Sequence, residues 1–126
     1  MYLFDTLERT AESQPNKPAF IYFSERTKKW DVFTYRQFVD STNRFLLGLS
    51  ACSLTPNMSA AVLTPPSIEF FPFACALLKF GIIPIILDPA IGLKKVGECM
   101  EETKPDIYFG NTLTHALRII FGWGKN

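Results

Sequence analysis

VLTPPSIEFFPFACALLKFGIIPIILDP, from Val62 to Pro89, carries three charged residues, Glu69, Lys79 and Asp88. Within it, Phe70 to Leu87 is about 18 largely apolar residues, close to the length that can span a bilayer. Pro72, Lys79, Gly81 and Pro84 punctuate that run and favour a different division. Ser67 to Phe80 reads as a helix that is apolar on nearly every side, stopped by Gly81. IPIIL (83–87) reads as a strand, continuous rather than alternating, as parallel strands covered on both faces tend to be. MSAAVLT (58–64) precedes the helix as a buried strand, and DIYFG (106–110) supplies a third after Pro105. The helix between them, Leu93 to Thr103, sets Leu93, Val96 and Met100 on one face. A last helix, capped by Thr112 or Thr114, is expected through Phe121, ended by Gly122 and Gly124. The pattern is β-α-β-α-β-α with a mainly parallel sheet.

The residues before this run add an N-terminal part. Phe4, Leu7 and Ala11 form one helical stripe between Phe4 and Gln14, ended by Pro15 and Pro18. AFIYF (19–23) and KWDVF (29–33) read as an antiparallel hairpin across SERTK. Thr34 and Gln37 have the spacing of a capping box, which opens a helix reaching about Ala51. Pro72 conflicts with a helix capped by Ser67, because it falls just past the first turn and removes a hydrogen bond. The helix then starts later or bends.

Composition narrows the function. Lys plus Arg is 13 and Asp plus Glu is 12, a net charge of +1 over 126 residues. That balance gives no reason to expect nucleic acid or an anionic membrane as partner. Cys52, Cys75 and Cys99 are far apart, His115 is the single histidine, and no CxxC pair exists, so a structural zinc site is not expected. Each cysteine reads as a small core hydrophobe in a reducing compartment. MYLFDTLERT lacks the basic start and apolar core of a signal peptide, and a cytoplasmic protein without a transmembrane segment is expected. Apolar residues nevertheless make up 48%, with 12 phenylalanines, which points to surface that something else covers.

Catalytic devices are scarce. No phosphate loop, GxGxxG, GxSxG or HExxH pattern occurs. Ser67 follows a strand, where open α/β sheets bind ligands. Its context TPPSIE lacks the glycines of a nucleophile elbow, and a helix cap assisted by Glu69 is the plainer reading. Asp88, at the end of the second strand, has no acidic pair or lysine partner and reads as a turn residue before Pro89. Cys99 and His115 have no reason to pair. RIIFGWG (118–124) is either core or a contact surface.

KPAFIYF, FTYRQFVDSTNRFLLGL and AAVLTPPSIEFFPFACALLKFGIIPIILDP, in that order, resemble the start of an adenylate-forming enzyme of the acyl-CoA synthetase, AMP-binding superfamily. PPSIEFF, ILDPAIGLKKVGECMEETKPD and ALRIIFGWG are most similar to the fatty-acyl branch, which includes long-chain acyl-CoA ligases and olefin-pathway β-lactone synthetases. The resemblance spans essentially the whole chain and rests on structural motifs. Where the family usually carries glycine before the 58–64 strand, this chain has SLTPN. The family's phosphate loop, adenine-holding segment, ribose contact, hinge and mobile C-terminal domain lie downstream of this region. No catalytic, cofactor-binding or metal residue is therefore carried over.

The resemblance implies that residues 1–126 are a single N-terminal subdomain of a larger adenylate-forming domain, an inactive scaffold. The parent would join a fatty acid to ATP, giving acyl-adenylate and pyrophosphate with Mg2+ assisting. CoA would then form the thioester, or a β-hydroxyl would close a lactone. The remainder of the parent polypeptide is the expected partner, with self-association expected through the uncovered apolar face. The competing reading from the residues alone is a standalone α/β binding or interaction module, with a ligand site at Thr64–Ser67 and Asp88. A membrane-associated protein is the third.

Overall fold

The computed structural model describes residues 2–64 and 67–111, with Ala116, Ile119 and Ile120. The expected cap at Thr112 or Thr114, most of the last helix, and His115 lie outside the described residues. The chain divides into two compact units. Met1–Ser53 with Ser67–Phe80 forms one, and Leu54–Pro66 with Gly81–Asn126 forms the other.

In the first unit, α1 (Tyr2–Ser13) buries the expected stripe. Phe4 and Ala11 pack with Val39, and Leu7 and Tyr35 close over them. The chain then turns through Pro15 into the antiparallel strands β1 (Pro18–Ser24) and β2 (Lys29–Thr34). Their register sets Ile21 opposite Val32, Tyr22 opposite Asp31 and Phe23 opposite Trp30, with an irregularity between Pro18 and Phe20. Lys28 takes a left-handed conformation at the turn, and its N–H donates to the Ser24 carbonyl at 2.7 Å.

Helix α2 (Tyr35–Ser50) starts as the sequence indicates. Gln37 N–H donates to Thr34 Oγ1 at 3.2 Å, and Thr34 N–H donates to Gln37 Oε1 at 2.9 Å. Two donors that the first turn leaves free are thus satisfied reciprocally. Phe38, Val39, Thr42 and Leu49 line its buried face. The buried Thr42 hydroxyl donates to the Phe38 carbonyl at 2.9 Å, so it costs little to bury.

Helix α3 (Phe70–Phe80) begins three residues later than the sequence expectation. Ser67 is not its cap. It is exposed, and its carbonyl accepts from Phe70 N–H. The shift resolves the Pro72 conflict, because Pro72 now lies in the first turn, where its missing N–H would have no helical partner. Rings join α3 to the hairpin and α2. Phe71 stacks on Phe20 at 4.8 Å, Phe20 meets Phe38 at 5.4 Å, and Phe73 meets Phe45 edge-on at 5.3 Å.

The second unit holds a three-stranded parallel sheet in the order β4-β3-β5. These strands are β3 (Ser59–Leu63), β4 (Ile83–Ile86) and β5 (Ile107–Gly110). β3 is central, and Ala60 to Leu63 are all buried. Ala61, Leu63 and Leu87 meet Val96 and Met100 from α4 (Leu93–Thr103), with Ile85, Cys99 and Tyr108 packed around them. Three expectations change here. β4 is parallel, yet Ile83 and Ile86 are 54% and 57% exposed, so its apolar run does not mark a strand covered on both faces. Leu93 is exposed, leaving Val96 and Met100 to carry the buried stripe of α4. Cys52 is exposed and not a core hydrophobe, whereas Cys75 and Cys99 are half-buried.

Gly81 is required where the chain enters β4. It has a φ of +94°, and a Cβ there would lie 3.1 Å from Pro56 Cβ. Its carbonyl accepts from Asn57 N–H at 2.8 Å, which ties the start of β3 to that of β4.

Candidate functional site

The side chains singled out by sequence are placed as follows. Asp88 follows β4 and caps a short 3-10 turn, Pro89–Ile91. Its Oδ1 accepts from Ala90 N–H at 2.9 Å, the turn role expected of it. Ser67 belongs to the first unit and Asp88 to the second. Cys99 packs beside Val96 and Met100 on the sheet, as expected of a small apolar side chain. Burial pushes the Cys75 thiol up from its ordinary value, which disfavours the reactive thiolate.

Two polar arrangements went unseen in the sequence. Asp106, just before β5, accepts through Oδ2 from Ser59 N–H at 2.8 Å and from Ser59 Oγ at 3.3 Å. Its own N–H donates to the Ser59 carbonyl at 3.0 Å. The start of β5 is thereby fastened to the start of β3. A separation of 47 residues hides this pair from any local pattern. On α3, Lys79 Nζ lies 3.7 Å from the centre of the Phe4 ring and 3.7 Å from Glu8 Oε1. This cation–π contact joins α3 to α1.

Among the clefts of the first unit, one of about 400 Å3 is lined by Ser41, Arg44, Phe45 and Glu69. It offers one cation, one carboxylate and one hydroxyl, without a thiol or imidazole to pair with them. Asp88 and Asp106 are engaged by backbone amides, and no three His, Cys, Asp or Glu side chains among the described residues converge as metal ligands. This donor set does not fit a nucleotide with its metal, so no step through ATP or Mg2+ is assigned to these residues. No described helix is long and apolar enough to cross a membrane. Asp88 caps its turn, Asp106 ties β5 to β3, and Lys79 joins α3 to α1.

Known proteins resemble this chain along most of its length. The family described as AMP-binding enzyme matches residues 7–120. An olefin β-lactone synthetase of Stenotrophomonas maltophilia is 30% identical over 92 residues, covering 73% of this chain and 17% of that protein. Among solved structures, the fatty acyl-adenylate ligase of L. pneumophila, in complex with acyl adenylate and pyrophosphate, superposes with a TM-score of 0.75. It has 19% identity over 91% of this chain and 20% of its own. The N-terminal domain of FACL13 from Mycobacterium tuberculosis gives a TM-score of 0.72 at 19% identity, over 90% of this chain and 28% of its own. The mixed α/β fold with its parallel sheet is that of this N-terminal domain. The chain spans about a sixth of the length of the curated relative it matches.

Proposed function

Since this chain belongs to the AMP-binding enzyme family, we propose that residues 1–126 serve as the N-terminal subdomain of an adenylate-forming ligase that activates a fatty acid. The observation that carries this reading is the family match over residues 7–120, joined to likeness with a fatty acyl-adenylate ligase. In the proposed reaction the fatty acid carboxylate attacks the α-phosphorus of ATP, and pyrophosphate leaves. The acyl-adenylate then passes its acyl group to CoA, or a β-hydroxyl closes a lactone with loss of AMP.

The role proposed for this chain is scaffolding. Asp88 caps a turn and Asp106 fastens β5 to β3, which supports that role. The remainder of the polypeptide is the proposed partner, and the cytoplasm the proposed location.

The test is fatty-acid-dependent exchange of labelled pyrophosphate into ATP, run on the polypeptide as its gene encodes it. Exchange that requires a fatty acid and Mg2+ is expected, while residues 1–126 alone give none and show no saturable ATP binding by calorimetry. Absence of exchange with every fatty acid, or tight ATP binding by residues 1–126 alone, would overturn the proposal.

A further inference from the structure

We propose that β4 is the terminal strand of its sheet in the polypeptide as its gene encodes it, with Pro84 barring a further strand, from a later segment or a second copy, at that edge. Backbone N–H and C=O groups of a strand point to alternate sides, residue by residue. Ile83 N–H donates to the Met58 carbonyl at 2.8 Å, and Leu87 N–H donates to the Val62 carbonyl at 3.0 Å. Both point at β3, and so does Ile85 between them, which the register sets opposite Ala61. Pro84 and Ile86 therefore turn their backbone groups to the other side. Among the described residues β4 pairs with β3 alone, so that side is the edge of the sheet.

Proline has no N–H to give to a neighbouring strand, and within sheets it is confined to positions whose N–H side faces away from any partner. Of the outward-facing pair, Ile86 alone carries a donor. A strand laid against β4 would lose a ladder bond in a partner only 4 residues long. Both ends of β4 are also fixed. Gly81, with a φ of +94°, stands before it, and the turn at Pro89–Ile91 follows it. A short edge strand that carries proline is a recurring way for sheets to block unwanted pairing. This limits how the remainder of the polypeptide can cover β4. Ile83 and Ile86 are exposed and project from opposite faces, because they differ in parity along the strand. Later elements can pack over them from the faces of the sheet without extending its ladder. β5, IYFG, carries no proline, so the bar acts on one side of the sheet.

The test is amide hydrogen exchange, read residue by residue, on the polypeptide as its gene encodes it. Ile85 and Leu87, directed at β3, should be protected, and Ile86 should exchange roughly a hundredfold faster or more. A pair of variants then separates backbone from side chain. Ile86→Pro and Ile86→Ala both truncate the exposed side chain, and only the first deletes the N–H. Ile86→Pro should fold and keep the urea midpoint of Ile86→Ala to within roughly 0.3 M, because no ladder bond is lost. Protection at Ile86 equal to that at Ile85 would overturn the proposal. So would an Ile86→Pro variant that unfolds where Ile86→Ala stays folded. Neither readout uses fatty acid, ATP or pyrophosphate exchange, so this inference and the proposed activity stand or fall separately.

Discussion

The two compact units hold their interiors with different chemistry. In the first, aromatic rings dominate, with Phe38 meeting both Phe20 and Phe33 while Phe71 stacks on Phe20. In the second, a strand with two alanines, Ala60 and Ala61, lies between two neighbours, and Leu63, Leu87, Val96 and Met100 fill the space beside it. Rings supply large contact area at separated points, so one residue links several elements. Small and aliphatic side chains suit a central parallel strand whose residues Ala60 to Leu63 are all buried. The difference teaches that a substitution of equal volume acts at an inter-element junction in one unit and on a continuous layer in the other.

The strongest way to break this comparison is Phe38→Ala. Phe38 is 3% exposed and touches both strands' inward rings, so its loss should cost about 3–5 kcal/mol. Met100→Ala, in the aliphatic layer, should cost about 2–5 kcal/mol, toward the lower end because an unbranched chain leaves a space its neighbours can fill. Urea midpoints measure both. Equal costs, with equal loss of near-ultraviolet dichroism, would erase the distinction between ring junction and layer. Total stabilities are only about 5–15 kcal/mol, so either change is large.

How much of this was legible depends on the range of each interaction. Thr34 with Gln37, and Asp88 with Ala90, act within a few residues, and both were readable from spacing alone. The parallel strands were readable from short apolar runs separated by helical ones. The start of α3 was misplaced because a serine before an apolar run is a sound cap signal, and only the cost of Pro72 argued against it. Grouping α3 with α1, α2 and the hairpin was not readable at all. It rests on Phe71 meeting Phe20 and Phe73 meeting Phe45, pairings that no periodicity encodes. The exposure of Ile83 and Ile86 was hidden for the same reason, since periodicity reports apolar character and not what covers it. Of the candidate site, only the scaffold role of Asp88 was visible. The Asp106–Ser59 fastening required the fold.

A smaller effect sharpens the comparison from the polar side. Asp106→Ala removes the acceptor of two Ser59 hydrogen bonds and frees the start of β5. A loss of about 1–2 kcal/mol is expected, reduced by the carboxylate's access to water. Hydrogen exchange should show faster exchange at Ser59 and along β5, with the α2 amides unchanged. Thr34→Ala should cost about 1 kcal/mol through the capping box and speed exchange at Gln37 instead. If both variants loosen the same amides, the two units do not respond separately.

The subtlest test uses the thiols. Burial raises the Cys75 thiol above its ordinary value of 9.0, so the folded chain holds this proton more tightly than the unfolded chain does. The sign follows from linkage. Below the ordinary value both states keep the proton, and the folded state has its full advantage. As pH climbs through that value toward the raised one, the unfolded state ionises first and stability falls. Urea midpoints should therefore decline more in the wild type than in Cys75→Ala between neutral pH and the alkaline range. Iodoacetamide at neutral pH should label exposed Cys52 well before Cys75, because the thiolate is the nucleophile and burial disfavours it. Equal labelling rates together with parallel alkaline profiles would place Cys75 in water, and the apolar wall around α3 would then be looser than its phenylalanine contacts require.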